Sequence, residues 1–455
     1  MPPKEQPAVL TIAAWHSLAW LVCANGVGLL LATLLLFPGM NHWLGEFTYG
    51  RWVPLHLNLQ LYGWCSLPLV AWLLKTYGMD REPASHWARS CLWLWSASLV
   101  IGAMSWLAGH SSGKLFLDWT GYPRILFPLA IFFLWVILAW SLRYHWPSEK
   151  NRAAKTIGLV GLLTVPPTLY WAASPGVYPA INPGTGGPTG ASLLDSTLGI
   201  VLILLLLPLG LQRRQKTGTR INKLVLSLYG LELIIYLGMG HHNSSNHWPS
   251  QFLGLGSLLP WMVAMPAYYR SFEWPRRSHR WLNSFMVWWV ILLASGWLAF
   301  LPGVLDHLKF TDGLVAHSHL AMAGFVSSMN LFLLTNFLEE DGAGLNTNWS
   351  FYAWQAGLAV YIISMAIAGW REGGDPSFTI VPGFTRNLLY ALRLAGGVLM
   401  FSASINWLAG VTHRLQANSR QSTSQAPAAR ADTIASQRFP PNLETRSHAS
   451  EPFIQ

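Results

Sequence analysis

Ala316-His317-Ser318-His319-Leu320 sets two histidines two positions apart inside a long apolar run that begins near Leu314. On an α-helix such residues lie about 200° apart around the axis, so the two imidazoles leave on opposite faces. One helix can therefore hold two different groups, one on each side. In hydrocarbon a pair of histidines is costly unless both are coordinated or hydrogen-bonded. A cofactor site is the first expectation from this stretch.

The surrounding chain is of one kind. Its 455 residues are 52% hydrophobic and only 11% charged, too apolar for an ordinary soluble protein of this size. Scanning for runs of about 20 apolar residues predicts twelve transmembrane helices, at 9–37, 52–74, 90–109, 122–142, 156–173, 192–211, 221–240, 251–269, 281–302, 313–338, 349–370 and 382–411. The fold class expected is an all-α polytopic membrane protein. Many of the 26 tryptophans fall near run ends, as in an interfacial aromatic belt. Cys23, Cys65 and Cys91 each fall in a different span, which argues against a disulfide framework or a Cys-rich metal site. No CxxCH is present, so a covalent c-type haem on this chain is excluded. The amino-terminal run is too long for a signal-peptide core and reads as an uncleaved first helix.

The net charge of +10 follows the membrane and is no sign of nucleic acid. Alternate loops hold Lys75, Arg81 and Arg89, then Arg143, Lys150, Arg152 and Lys155, then Arg213 to Lys223, then Arg270 to Arg280. The other set holds only Arg51, Lys114, Arg124, Lys309, Arg371 and Arg386. By the positive-inside rule the first set is cytoplasmic, and both termini with it. Beyond Arg414 the composition turns to Ser, Ala, Gln, Arg and Pro. The expected organisation is a membrane domain over 1–414 and a disordered cytoplasmic tail over 415–455. No internal repeat is evident.

On this topology His56, His241, His242, His317 and His319 share one depth near the outer surface. The Pro- and Gly-rich loop 174–190 lies at the same end, and Asp195 sits one turn into the sixth span. The seventh span carries Tyr229, Glu232 and Tyr236 at spacings of three and four, on one helical face. It ends in Gly240-His241-His242-Asn243, where an unwinding helix lets both histidines converge on one metal. His16, alone in the first span, reads as a packed, hydrogen-bonded histidine. Imidazole is a ready ligand for haem iron and copper. Two histidines from different helices can clamp a haem on both sides, and a third can hold another haem from one side.

In Leu55-His56-Leu57-Asn58-Leu59-Gln60-Leu61-Tyr62-Gly63-Trp64, His241-His242, His317-Ser318-His319 and the end region Gly369-Trp370-Arg371 with Leu389 to Gly397, the chain resembles the catalytic subunit of the haem-copper oxygen reductase and nitric-oxide reductase superfamily. The likeness is nearer to the cbb-type oxidases and their nitric-oxide-reductase relatives. It implies a low-spin b-type haem between His56 and His319, and a high-spin haem on His317. It further implies a non-haem metal, copper or iron, at His241 and His242, with Arg371 and Arg393 as partners for haem propionates or in structural ion pairs. Arg371 is the better placed at the outer side. The resemblance implies a respiratory oxidoreductase of a bacterial-type inner membrane, reducing oxygen or nitric oxide with electrons from a cytochrome c-type subunit or a quinol.

Three features depart from the family's pattern. No histidine lies between His145 and His241, so the third metal ligand is Asp195, His247 or no protein group. Tyr236, the match to a redox tyrosine, stands one residue closer to His241 than the pattern asks. Leu301 occupies the place of a glutamate associated with nitric-oxide reduction. A protein with a degenerate metal site that only passes electrons or senses a gas is the alternative from another class, and a transporter is a further one. Glu232 and Tyr236 are the candidate proton-handling residues.

Overall fold

The computed structural model describes residues 8–81, 84–149, 151–181, 194–211, 215, 219–239, 249–338 and 344–437. Side chains are described for these except 8, 194–196, 219, 251, 252 and 418–437. His241, His242 and His247 lie outside the described residues, as does the side chain of Asp195. By its contacts the chain divides into Met1–Val411 and Thr412–Gln455. The histidine-bearing helices and their neighbours belong to the first unit.

The described structure is helical, with one isolated β-bridge, Gln215 to Phe272, and no strand among the described residues. The helices are α1 (Ala8–Leu36), α2 (Tyr49–Asn58), α3 (Leu67–Thr76), α4 (Ser85–Leu107), α5 (Pro123–His145), α6 (Arg152–Ala172), α7 (Leu194–Gly210) and α8 (Thr219–Met239). They continue as α9 (Pro249–Gly256), α10 (Trp261–Arg270), α11 (His279–Ala299), α12 (Val304–Leu308), α13 (Asp312–His319), α14 (Ser327–Phe337), α15 (Asn348–Gly374) and α16 (Phe384–Gln437). Every one of the twelve predicted runs coincides with helix. Among the described residues, nine helical segments are long and apolar enough to cross a membrane, in keeping with an integral membrane protein. The other three predicted runs correspond to α6, to the short α7, and to α9 and α10, which break around Ser257–Pro260.

Two helices widen where they pass through the interior. Leu59–Cys65 between α2 and α3, and Leu320–Val326 between α13 and α14, are π-helical. A π turn disturbs the i→i−4 ladder and leaves carbonyls in need of donors. In each segment the donors come from equivalent places. Ser66 Oγ donates to the Leu61 carbonyl at 2.7 Å, and Ser327 Oγ to that of Met322 at 2.8 Å. On the following helix, Trp95 Nε1 donates to Tyr62 O at 2.7 Å, as Trp354 Nε1 does to Ala323 O at 3.0 Å. On the preceding helix, Trp20 packs onto Gly63 and Trp288 onto Gly324, so closely that a Cβ on either glycine would come within 3 Å of the indole.

The equivalence extends one bond further. Trp20 Nε1 donates to Ser96 Oγ, which also bonds His16 Nδ1; Trp288 Nε1 donates to Gln355 Oε1, while Gln355 Nε2 donates to Ser284 Oγ. The set α1, α2–α3, α4 thus repeats as α11, α13–α14, α15, bond for bond. This local duplication corrects the sequence reading that no repeat is present. Its carriers are single Trp, Gly and Ser positions scattered among interchangeable apolar residues, too sparse to show as self-similarity. His56 stands to its π segment as His317 stands to its own.

The helix carrying the paired histidines is pinned by its start and by a backbone contact. Thr311 caps α13, its Oγ1 accepting from Gly313 N at 3.1 Å, and the Glu372 carboxylate accepts from Asp312 N at 2.8 Å. Carboxylates here also complement the positive end of the helix dipole. At Gly369 α15 lies so close that a Cβ would meet Gly313 N and stand 2.5 Å from Gly313 Cα. Backbone cannot yield as a side chain does, so Gly369→Ala should remove about 3 kcal/mol or more of stability. Gly230→Ala in α8, with nothing within 4 Å of the added methyl, should be neutral or stabilising by up to about 1 kcal/mol. Thermal unfolding of the two variants, followed by size-exclusion fluorescence, checks the contrast.

Candidate functional site

His56 and His319 come together across the bundle. Their ring centroids are 6.3 Å apart and their planes within 19° of parallel. Each ring is held by its Nδ1: that of His56 donates to the Ala24 carbonyl of α1 at 2.8 Å, and that of His319 to Val315 O of its own helix at 2.9 Å. Spending Nδ1–H on a carbonyl leaves the neutral tautomer with a lone pair on Nε2, the form that binds a metal. Gly28 leaves room for the first ring, since a Cβ there would stand 2.8 Å from His56 Cε1. Tyr361 backs the second, stacked on His319 at 4.2 Å.

The spacing suits one metal atom. Two imidazoles that share one metal at about 2.0–2.1 Å, with each ring centre about 1.1 Å behind its nitrogen, have centroids at most about 6.2–6.4 Å apart. The observed 6.3 Å falls in this range. His317, two residues earlier, faces away from this pair toward α11, where a Cβ on Gly296 would lie 3.5 Å from its Cε1. The opposite-face geometry expected from the sequence is therefore present.

Beside the pair lies a buried ionic cluster. Arg393, 7% exposed, reaches Asp312 Oδ1 at 3.4 Å, and its guanidinium lies 5.4 Å from the ring of Tyr361, which stacks on His319. Tyr390 donates its hydroxyl to Asp312 Oδ2 at 2.7 Å. Arg393 Nε is buried without a partner. A buried N–H donor with no acceptor is costly, and here it is an opening for an additional anionic oxygen. The residues present thus fit a haem, with two neutral imidazoles that could supply Nε2 and an arginine donor for a carboxylate substituent.

The other expected residues are scattered around this centre. Arg371 is exposed at the end of α15, so the arginine beside the histidine pair is Arg393. Glu232 is buried and accepts from Ser257 Oγ at 2.8 Å, between half-buried Tyr229 and Tyr236 on the inward stripe of α8. His16 is buried and bonded to Ser96 Oγ at 2.8 Å, with its ring edge-on to Trp93. The expected metal histidines, His241 and His242, lie outside the described residues, and among those described no group of three His, Cys, Asp or Glu is arranged to hold a metal. Sequence reasoning missed Asp312, Tyr361, Tyr390 and Gly28. Only Asp312 left a readable trace, as a carboxylate just before the apolar run that carries His317.

No family model matches the chain. Among curated proteins it is similar to the Cbb3-type cytochrome c oxidase subunit CcoN1 of Stutzerimonas stutzeri, 20% identical over 88% of this chain and 92% of that protein. The likeness is distant but runs through most of both chains.

Removing Asp312 leaves Arg393 charged, buried and unpaired. Asp312→Ala should destabilise by about 3–5 kcal/mol, and Asp312→Leu combined with Arg393→Met should recover most of the loss. Thermal denaturation of the three proteins measures both outcomes; equal stability of the single and double variants would contradict the coupling.

Proposed function

We propose that the chain is the haem-bearing catalytic subunit of a membrane oxidoreductase of haem-copper type that reduces a diatomic gas, oxygen or nitric oxide. The observation that carries this reading is the His56–His319 pair, 6.3 Å between centroids, with both Nδ1 atoms committed to carbonyls. When bound, a low-spin b-type haem between these rings, a high-spin haem on His317 and a copper or iron at His241 and His242 would supply electron transfer and reduction of the gas.

The chain's own residues would bind, orient and move protons. His56 and His319 present fixed Nε2 atoms, so coordination requires little ring reorganisation. Arg393 Nε, without a hydrogen-bond partner among the described residues, would receive a propionate, while Asp312 and Tyr390 hold the guanidinium in place. Arg371, at the exposed end of α15, is a second propionate candidate. Glu232, Ser257 and Tyr236 form the route by which protons would climb α8 toward His241. The third metal ligand is Asp195, His247 or no protein group, and an aspartate would favour iron over copper.

In this reading the domain over 1–414 crosses a bacterial-type inner membrane twelve times with both termini cytoplasmic, and 415–455 is a cytoplasmic tail. The likeness to a cytochrome c oxidase subunit favours oxygen as substrate and a cytochrome c donor; a quinol is the other donor class. A protein that passes electrons or senses gas without turnover is the competing reading.

Haem extraction, metal analysis, electron paramagnetic resonance and consumption of oxygen and nitric oxide by the reduced protein separate these readings. Two haems per chain, a low-spin bis-imidazole signal and turnover of one gas are expected. His319→Ala should abolish that signal while leaving a high-spin haem. An unchanged bis-imidazole signal in this variant would refute the ligand assignment, and intact haems without gas consumption would leave only the competing reading.

A further inference from the structure

The duplicated three-helix sets differ in how one space is filled. In the first, the space below the Trp20–Ser96 bond is filled by three rings: Trp15, His16 and Trp93, with centroids 4.5–6.5 Å apart. The equivalent positions in the second set are Asn283, Ser284 and Tyr352, which leave a lateral groove of about 480 Å³ between α11 and α15. Its floor is the saturated pair Ser284 and Gln355, the counterpart of His16 and Ser96. Its walls are apolar: Trp288, Phe351 and the exposed faces of Val287 and Tyr352, 56% and 62% exposed.

One charge guards the mouth. Arg280 stands where the first set has Ile12, in the first turn of α11 and just after Arg276 and Arg277. Its guanidinium is 5.0 Å from the Phe351 ring centre, and its Nη1 and Nη2 donate to Asn346 O and Asn348 Oδ1. These acceptors are neutral, and a guanidinium has five N–H donors in all, so charge and donors remain for an anion. Among the described residues no carboxylate or imidazole lines the groove to take a proton from a quinol.

We propose that this groove binds one anionic phospholipid of the leaflet at the cation-rich end, its phosphate against Arg280 and the Asn283 amide and one acyl chain along Val287 and Trp288. The lipid occupies the volume that Trp15, His16 and Trp93 fill in the other set. Arg280 selects the headgroup, since a cation at the membrane surface favours an anionic lipid about fivefold. The walls of the slot accept a chain.

The full-length protein, purified in detergent and stripped of lipid, is titrated with dioleoylphosphatidylglycerol and with dioleoylphosphatidylcholine and followed by native mass spectrometry. The wild type should bind the first about fivefold more tightly. Arg280→Gln should erase that preference and Arg280→Lys keep it. Asn283→Trp with Tyr352→Trp, which rebuilds the plug of the first set, should abolish tight binding of both lipids with the thermal midpoint retained. Equal affinities in the wild type, undiminished phosphatidylglycerol binding in the plugged variant, or retention of a quinone in place of a phospholipid would each overturn the proposal. Should the plugged variant fail to fold, the Gln and Lys pair at Arg280 still decides the matter.

Discussion

A backbone carbonyl inside a membrane has no water to fall back on, so every departure from regular helix needs a donor from elsewhere. This requirement organises the interior of the protein. The two π segments put Leu61, Tyr62, Met322 and Ala323 carbonyls out of the ordinary ladder, and two serines and two tryptophans answer them. The tryptophans in turn fix where α4 and α15 lie, and the small residues Gly63 and Gly324 fix how near α1 and α11 approach. Trp64 Nε1 donates to Ser327 Oγ at 2.7 Å and its carbonyl accepts from Asn330 Nδ2, so the two π segments are also tied to each other. A widened helix is unfavourable alone; here each widening is the socket for a neighbour.

The histidines stand within one turn of this frame and take their positions from it. The rings of His56 and His319 are fixed by their surroundings, with carbonyls, a glycine and a tyrosine. Arg393 adds a cation that cannot lose its proton in this setting. Its contact with Asp312 ties α16 to the first turn of the helix bearing His317 and His319. The charge that would receive a propionate and the ring that would bind iron are therefore held through the same few residues.

Much of this was legible in the sequence, and for identifiable reasons. Apolar runs report helices directly, because hydrocarbon admits little else. The spacing of His317 and His319 reports their opposite faces because 3.6 residues make a turn. The meeting of His56 with His319 rested on the family likeness and the shared depth. Choosing Arg393 over Arg371 depended on tertiary packing, which periodicity does not carry. Tyr361 and Gly28 are ordinary membrane-helix residues until their neighbours are known. The π segments were invisible because half of their donors, Trp95 and Trp354, lie on other helices, and the duplication because what it preserves is hydrogen bonds more than residue identities.

His317 and His319 are separated by a single serine on a helix whose height is set by the near-touching backbones at Gly313 and Gly369. That contact resists sliding of α13 along its axis, so rotation is the movement to which the two rings respond together. A turn that carries the His319 ring toward α2 swings the His317 ring away from its station beside Gly296. The two sides of the helix therefore work like the pans of a balance, with one angular coordinate between them. Neither can be adjusted by moving the helix without the other registering the change, so independent tuning of the two faces has to come from the neighbours that surround each ring.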